Sequence, residues 1–145
     1  MRKVLIADDE VKVGQLVKRL IQWDRLGLTC IGLVTDGQTT YEKILSESPD
    51  IVITDIRMPV LTGLEMIEKA SEQGVKCHFI VVSGYKYFDY AQKALKYGVE
   101  DYLLKPIDED ELNRQLQKIV AEEEQREDKQ QQVDQIEKKL EDSKY

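Results

Sequence analysis

The run Ile51-Val52-Ile53-Thr54-Asp55-Ile56-Arg57-Met58-Pro59 constrains this chain more than any other stretch. Four β-branched residues, Ile51 to Thr54, lead to a carboxylate, and a loop containing proline follows. A short apolar run of this kind predicts a buried strand over 51–55, so Asp55 should stand at the strand's C-terminal end. In open α/β sheets that rim is where ligands bind.

The rest of the chain supplies partners for such a strand. Lys3 to Ala7 predicts a first strand, running into Asp8-Asp9-Glu10. Val13, Leu16, Val17, Leu20 and Ile21 then fall on one helical face, and Gly27 is the expected stop. Thr29 to Val34 predicts a second strand, closed by the turn pair Asp36-Gly37. Tyr41, Ile44 and Leu45 mark a second helix, ended by Pro49-Asp50. Gly63 opens a third helix through Met66, Ile67 and Ala70, which Gly74 closes. Phe79 to Val82 is a fourth strand, running into Ser83-Gly84. A fourth helix carries Phe88, Ala91 and Leu95 and stops at Gly98. Tyr102 to Leu104 is a fifth strand ending in Lys105-Pro106. Asp108, with Glu111 three residues on, should cap a last helix.

Strand and helix alternate five times with short connections, which implies parallel strands covered on both faces. Right-handed crossovers leave few topologies. The expected fold is a flavodoxin-like, doubly wound α/β sheet of order 2-1-3-4-5 with an extended C-terminal helix. Strands one and three then meet at the switch point.

Composition narrows the function. With 145 residues, 41% hydrophobic and 34% charged, the chain suits one domain plus an appendage. No apolar run approaches the roughly 20 residues of a membrane span. The apolar run after Met1-Arg2-Lys3 is too short for a signal peptide, so the expected location is cytoplasmic, with no membrane partner. Residues 1–106 carry a formal charge of −1 and residues 107–145 carry −6, out of −7 in all. An acidic tail argues against nucleic-acid binding by this chain itself. Cys30 and Cys77 have no metal-ligand spacing and read as small core hydrophobes. The single histidine, His78, has no partner motif and reads as the start of a strand.

The predicted topology brings Asp8, Asp9 and Asp55 to one edge. Three carboxylates held close repel one another unless a cation neutralises them, and Mg²⁺ is the candidate. The competing reading is a structural acidic cluster, with Asp9 capping the first helix. Ser83 and Lys105 reach the same edge from strands four and five. A metal, an ammonium and a hydroxyl around one carboxylate suit phosphoryl chemistry.

Asp8-Asp9, Asp55 in Thr-Asp-Ile-Arg-Met-Pro, Ser83, and Tyr102-x-x-Lys105-Pro106 together resemble the receiver domain of two-component response regulators. The likeness covers about residues 2–120. It implies that Asp55 accepts a phosphoryl group from a sensor histidine kinase, giving a 4-aspartylphosphate. It implies that Asp8, Asp9, Asp55 and the main-chain carbonyl of Arg57 hold Mg²⁺. Ser83 becomes the switch hydroxyl and Lys105 the phosphate-binding lysine, aimed by a cis bond to Pro106. Tyr102 is the candidate rotamer switch, with an ordinary half-buried strand aromatic as the alternative. The face of the fourth helix, fifth strand and last helix would carry the signal. Arg57 and Tyr85 flank the position where the family tunes phosphoryl lifetime. The aromatic stretch Tyr85, Tyr87, Phe88 and Tyr90 is either packing or a partner surface.

The chain divides into a receiver at 1–120 and an acidic helical segment at 121–145. Val133, Ile136 and Leu140 fall at a/d spacing, but Glu122, Arg126 and Lys129 occupy the preceding seam positions. A solvated linker helix and a parallel homodimer are both open. Trp23-Asp24-Arg25-Leu26-Gly27 and Ser83-Gly84-Tyr85 resemble receivers that precede an AraC-type DNA-binding domain. DNA would then be reached only through an output domain outside this chain, and transcription is the expected output. Such a module is not an enzyme beyond its own phosphorylation and dephosphorylation. Two rivals are weighed. A haloacid-dehalogenase-type phosphohydrolase wants a second acid two residues after the nucleophile, where Arg57 stands. A pseudo-receiver that ignores phosphate needs none of these five residues.

Overall fold

The computed structural model describes residues 1–84 and 88–143, with backbone only at 88, 90 and 91. Five strands, β1 (Arg2–Ala7), β2 (Leu28–Val34), β3 (Ile51–Thr54), β4 (His78–Ser83) and β5 (Asp101–Leu104), form one sheet of order β2-β1-β3-β4-β5. Every pairing is parallel. The helices are α1 (Val11–Leu20), α2 (Trp23–Leu26), α3 (Gly37–Glu47), α4 (Gly63–Glu72), α5 (Phe88–Lys96) and α6 (Glu109–Asp142).

The strands' period of two splits the core into two layers. Val4, Ile6, Ile51, Ile53, Ile80, Val82 and Leu103 face one side, against Val17 of α1, Ile21 just after it, Leu26 of α2, and Leu112, Leu116 and Ile119 of α6. Leu5, Ala7, Val52, Phe79 and Val81 face the other, against Ile44 of α3, Met66, Ile67 and Ala70 of α4, and Ala94 of α5. Both sheet faces are therefore buried, as near-continuous apolar strands require. Cys30 packs on the first layer and Cys77 on the second, and both are free thiols. Burial pushes the Cys77 thiol up to about 12, as expected of a packing residue.

The first helix differs from expectation. The continuous helix expected up to Gly27 is broken at Ile21–Gln22, and α2 forms one further turn before Gly27 takes a left-handed φ of 66°. Asn113 of α6, 3% exposed, explains the break. Its Oδ1 accepts from the Gln22 N–H at 2.9 Å, and its Nδ2 donates to the Leu20 carbonyl at 2.8 Å. One side-chain amide thus satisfies backbone groups on both sides of the interruption.

Three expected core leucines are not in the core. Leu16, Leu45 and Leu95 are 38%, 50% and 63% exposed. In α1 the buried arc centres on Gly14 and Val17, and in α3 on Gly37, Thr40 and Ile44, which turns Leu16 and Leu45 outward. Asp36 is more than a turn residue, because its carboxylate caps α3 by accepting from the Thr39 N–H at 2.7 Å. Thr62 and Glu65 form a reciprocal capping box on α4. Asp108 caps α6, accepting from the Glu111 N–H at 3.0 Å.

Beyond Val120, α6 runs on as one exposed helix to Asp142, with Val133, Ile136 and Leu140 open to solvent. Among the described residues no helix is long and apolar enough to cross a membrane.

Candidate functional site

Parallel pairing aligns the C-terminal ends of the four right-hand strands. Ala7 pairs with Thr54, and Ser83 pairs with Leu104, so the residues just beyond them share one rim. The ladder continues past the formal strand ends. The Asp55 N–H donates to the Ala7 carbonyl at 2.9 Å, the Asp8 N–H to Val34 at 3.0 Å, and the Lys105 N–H to Ser83 at 2.9 Å. Asp8, Asp55 and Ser83 are 5%, 6% and 1% exposed, whereas Asp9 is exposed.

One carboxylate oxygen from each of Asp8, Asp9 and Asp55 lies within 4.8 Å of the other two. The Lys105 ammonium reaches in from β5, 3.0 Å from Asp55 Oδ2 and 3.2 Å from Asp8 Oδ2. Its bond to Pro106 is cis. The three acids and the lysine carry a formal charge of −2. The donor set is all oxygen, which suits a hard divalent cation such as Mg²⁺ rather than a thiophilic one.

The electrostatics express the crowding. Burial raises the Asp8 carboxyl to about 6. The Glu10 N–H, donating to Asp8 Oδ1 at 2.9 Å, opposes that, Asp55 adds to it, and Lys105 partly offsets it. Burial pulls the Lys105 ammonium down, but Asp55 and Asp8 more than compensate and raise it above its ordinary value. Asp9 does not cap α1. The N-cap position is Glu10, without a side-chain cap bond, and Asp8 takes the Glu10 N–H instead.

The loop from Asp55 to Gly63 is held by close backbone approaches. The Gly63 N–H donates to Ile56 at 2.7 Å. A Cβ on Gly63 would sit 1.9 Å from the Asp55 carbonyl oxygen, and one on Gly37 would sit 1.8 Å from that of Leu61. Met58 is buried beneath the loop, and Asp55 Oδ1 accepts from the Ile56 N–H at 2.7 Å. Val60, 84% exposed, holds a left-handed φ of 70°. Sequence reasoning read Gly37 as a turn and Gly63 as a helix start. The close contact each needs is long-range and leaves no local signal beyond the glycine itself.

Arg57 is exposed beside this loop, and Tyr102 is half-buried against the second core layer. Tyr85 and Tyr87, with the side chains of Phe88 and Tyr90, lie outside the described residues. The structure thus brings Asp8, Asp9, Asp55 and Lys105 into direct proximity, and it puts Ser83 at the same rim.

Comparison with known proteins bears on the family and the fold. Residues 4–117 match the model of the response regulator receiver domain. The chain is 45% identical over 122 residues to the transcriptional regulatory protein YesN of Bacillus subtilis, covering 84% of this chain and 33% of YesN. It is 34% identical over 120 residues to the transcriptional regulatory protein HptR of Staphylococcus aureus, covering 83% of this chain and 47% of HptR. It therefore spans between a third and a half of these relatives. Among solved structures, the REC domain of AraT, a response regulator from Geobacillus stearothermophilus, superposes with a TM-score of 0.82 at 36% identity. That match covers 87% of this chain and 98% of the AraT one. The acidic rim, the strand order and these likenesses lead to one conclusion: the chain belongs to the response regulator receiver domain family.

Proposed function

We propose that this receiver is a phosphorylation-activated switch whose acceptor is Asp55. The carrying observation is the meeting of Asp8, Asp9, Asp55 and the Lys105 ammonium at the ends of adjacent strands. The donor is a phosphohistidine on a sensor histidine kinase. An Asp55 carboxylate oxygen attacks phosphorus, the P–N bond breaks, and the imidazole leaves with its electron pair and takes up a proton. Asp8, Asp9, Asp55 and the Arg57 main-chain carbonyl would hold Mg²⁺, which supplies positive charge to the phosphoryl oxygens.

Lys105 already spans Asp55 and Asp8, so its ammonium needs only a small displacement to bind a phosphoryl oxygen. Ser83, at the end of β4, donates its hydroxyl to another. The aspartyl phosphate brings about −1.5 to −2 charge and new acceptors, by analogy with phosphoserine. Ser83 moves toward it, Tyr102 follows by a rotamer change, and the α5–β5–α6 face repacks. Transcription is the output, through a DNA-binding domain like those of AraC-type regulators. Arg57, exposed in the loop after Asp55, shields the phosphoryl group from water, so Arg57→Ala should hydrolyse it faster than the parent.

Incubation with Mg²⁺ and acetyl phosphate, followed by intact-mass measurement, tests the central claim. The expected result is a gain of one phosphoryl group that Asp55→Asn abolishes. No gain in the parent protein would make it a pseudo-receiver.

A further inference from the structure

His78 and the tail meet at the opposite rim of the sheet. His78 opens β4, and its N–H donates to the Asp50 carbonyl at 2.9 Å. Its ring lies between two carboxylates from different elements. Nδ1 is 2.6 Å from Glu100 Oε1, just before β5, and Nε2 is 2.6 Å from Glu123 Oε1 of α6. Glu123 is the half-buried exception on an otherwise exposed stretch of that helix. We infer that His78 is a proton-operated latch that fastens the tail segment of α6 to the floor of the sheet.

Donor counting decides the protonation of the ring. Only the imidazolium carries two N–H groups; the neutral ring has one N–H and one lone pair. Two carboxylates at 2.6 Å therefore need both protons. Once one proton leaves, one carboxylate faces a lone pair and must withdraw. Burial pulls the imidazole down, but the bonds to Glu123 and Glu100 outweigh it, so the ring stays charged above its ordinary 6.5. A raised histidine stabilises the docked state fully below 6.5 and loses that contribution as pH climbs through the raised value. The partner Glu123, held below its ordinary 4.5 chiefly by His78, stays ionised through that window.

The surrounding charges are unequal to holding the tail alone. Arg126 pairs with Glu123 at 3.2 Å within the same helix, so it ties nothing across. Arg2 of β1 bonds Glu127 at 2.9 Å, an exposed pair worth little. The Asp50 carboxylate accepts from the Lys3 N–H instead. His78, Glu100 and Glu122 also offer one ligand atom each within 4.8 Å, a metal-like spacing. A proton is the better occupant, because both ring nitrogens already hold short bonds to carboxylates. The strands that end beside Ser83 and Lys105 thus begin at the latch, which lies away from the phosphoryl chemistry.

His78 is the chain's one histidine, so its ring signals are unambiguous in NMR. The ring and the ¹⁵N order parameters of residues 121–127 would be followed from pH 5.5 to 8.5, in EDTA so that no metal bridges. The expected ring midpoint lies above 6.5, and order in 121–127 falls with the same midpoint. Glu123→Gln should lower the ring midpoint, and His78→Gln should leave those residues mobile at every pH. A midpoint at or below 6.5, a tail indifferent to pH, or the same transition persisting in His78→Gln would each overturn the latch.

Discussion

At the scale of single residues, the rim stores electrostatic strain that a cation would relieve. Asp8 is raised to about 6, so between its ordinary 3.8 and that value the folded protein holds a proton that the unfolded chain releases. Stability at this group therefore falls as pH rises, and the full cost, about 3 kcal/mol at most, is present at neutral pH. Asp8→Asn keeps an acceptor for the Glu10 N–H and removes the charge. In EDTA at pH 7 it should raise stability by ~1–3 kcal/mol in urea denaturation, with little gain near pH 4. The same variant should weaken Mg²⁺ binding, read by calorimetry. Val60 offers an independent test. A β-branched residue at φ 70° costs on the order of 1–3 kcal/mol, so Val60→Gly should stabilise by about 1 kcal/mol on thermal unfolding. Asp8, Asp55 and Lys105 were legible in the sequence because strand ends and charges are local features. The bond from Glu10 to Asp8 was not, because which acid takes that N–H depends on how the chain leaves β1.

At the scale of elements, alternation of apolar strands with amphipathic helices was enough to order the sheet. The same patterning misplaced Leu16 and Leu45, because small buried residues, Gly14 and Gly37 with Thr40, set which arc of each helix faces the sheet. The break between α1 and α2 was hidden for a different reason. Its cause, Asn113, lies 91 residues from Gln22, and no local propensity reports such a contact. Asn113→Leu would leave the Leu20 carbonyl and Gln22 N–H without their partner. A loss of about 1–3 kcal/mol is expected, as two part-buried backbone groups lose their partner, read as a lower urea midpoint. Gly63→Ala should cost more than ~3 kcal/mol or forbid the native loop, since the new methyl would collide with the Asp55 carbonyl.

At the scale of the whole molecule, the chain is a receiver whose sheet carries helices on both faces, with a rod attached. The rod's apolar residues Val133, Ile136 and Leu140 repeat at seam spacing, but charged residues hold the seam positions nearer the sheet. Three exposed side chains of this size are too few to hold two copies together. Sedimentation equilibrium of the unphosphorylated protein at tens of micromolar should therefore give a monomer, and a stable dimer would show that the rod pairs on its own. The rod's length has a mechanical consequence. Beyond Val120 it extends about 33 Å at ~1.5 Å per residue. A tilt of about 10° at its base would carry the far end roughly 6 Å, several times the movement a single side-chain flip produces. A helix seated on α1, α2 and β5, and tied to the α1–α2 break through its own Asn113, converts small adjustments at its foot into displacements large enough to reposition anything carried at its tip.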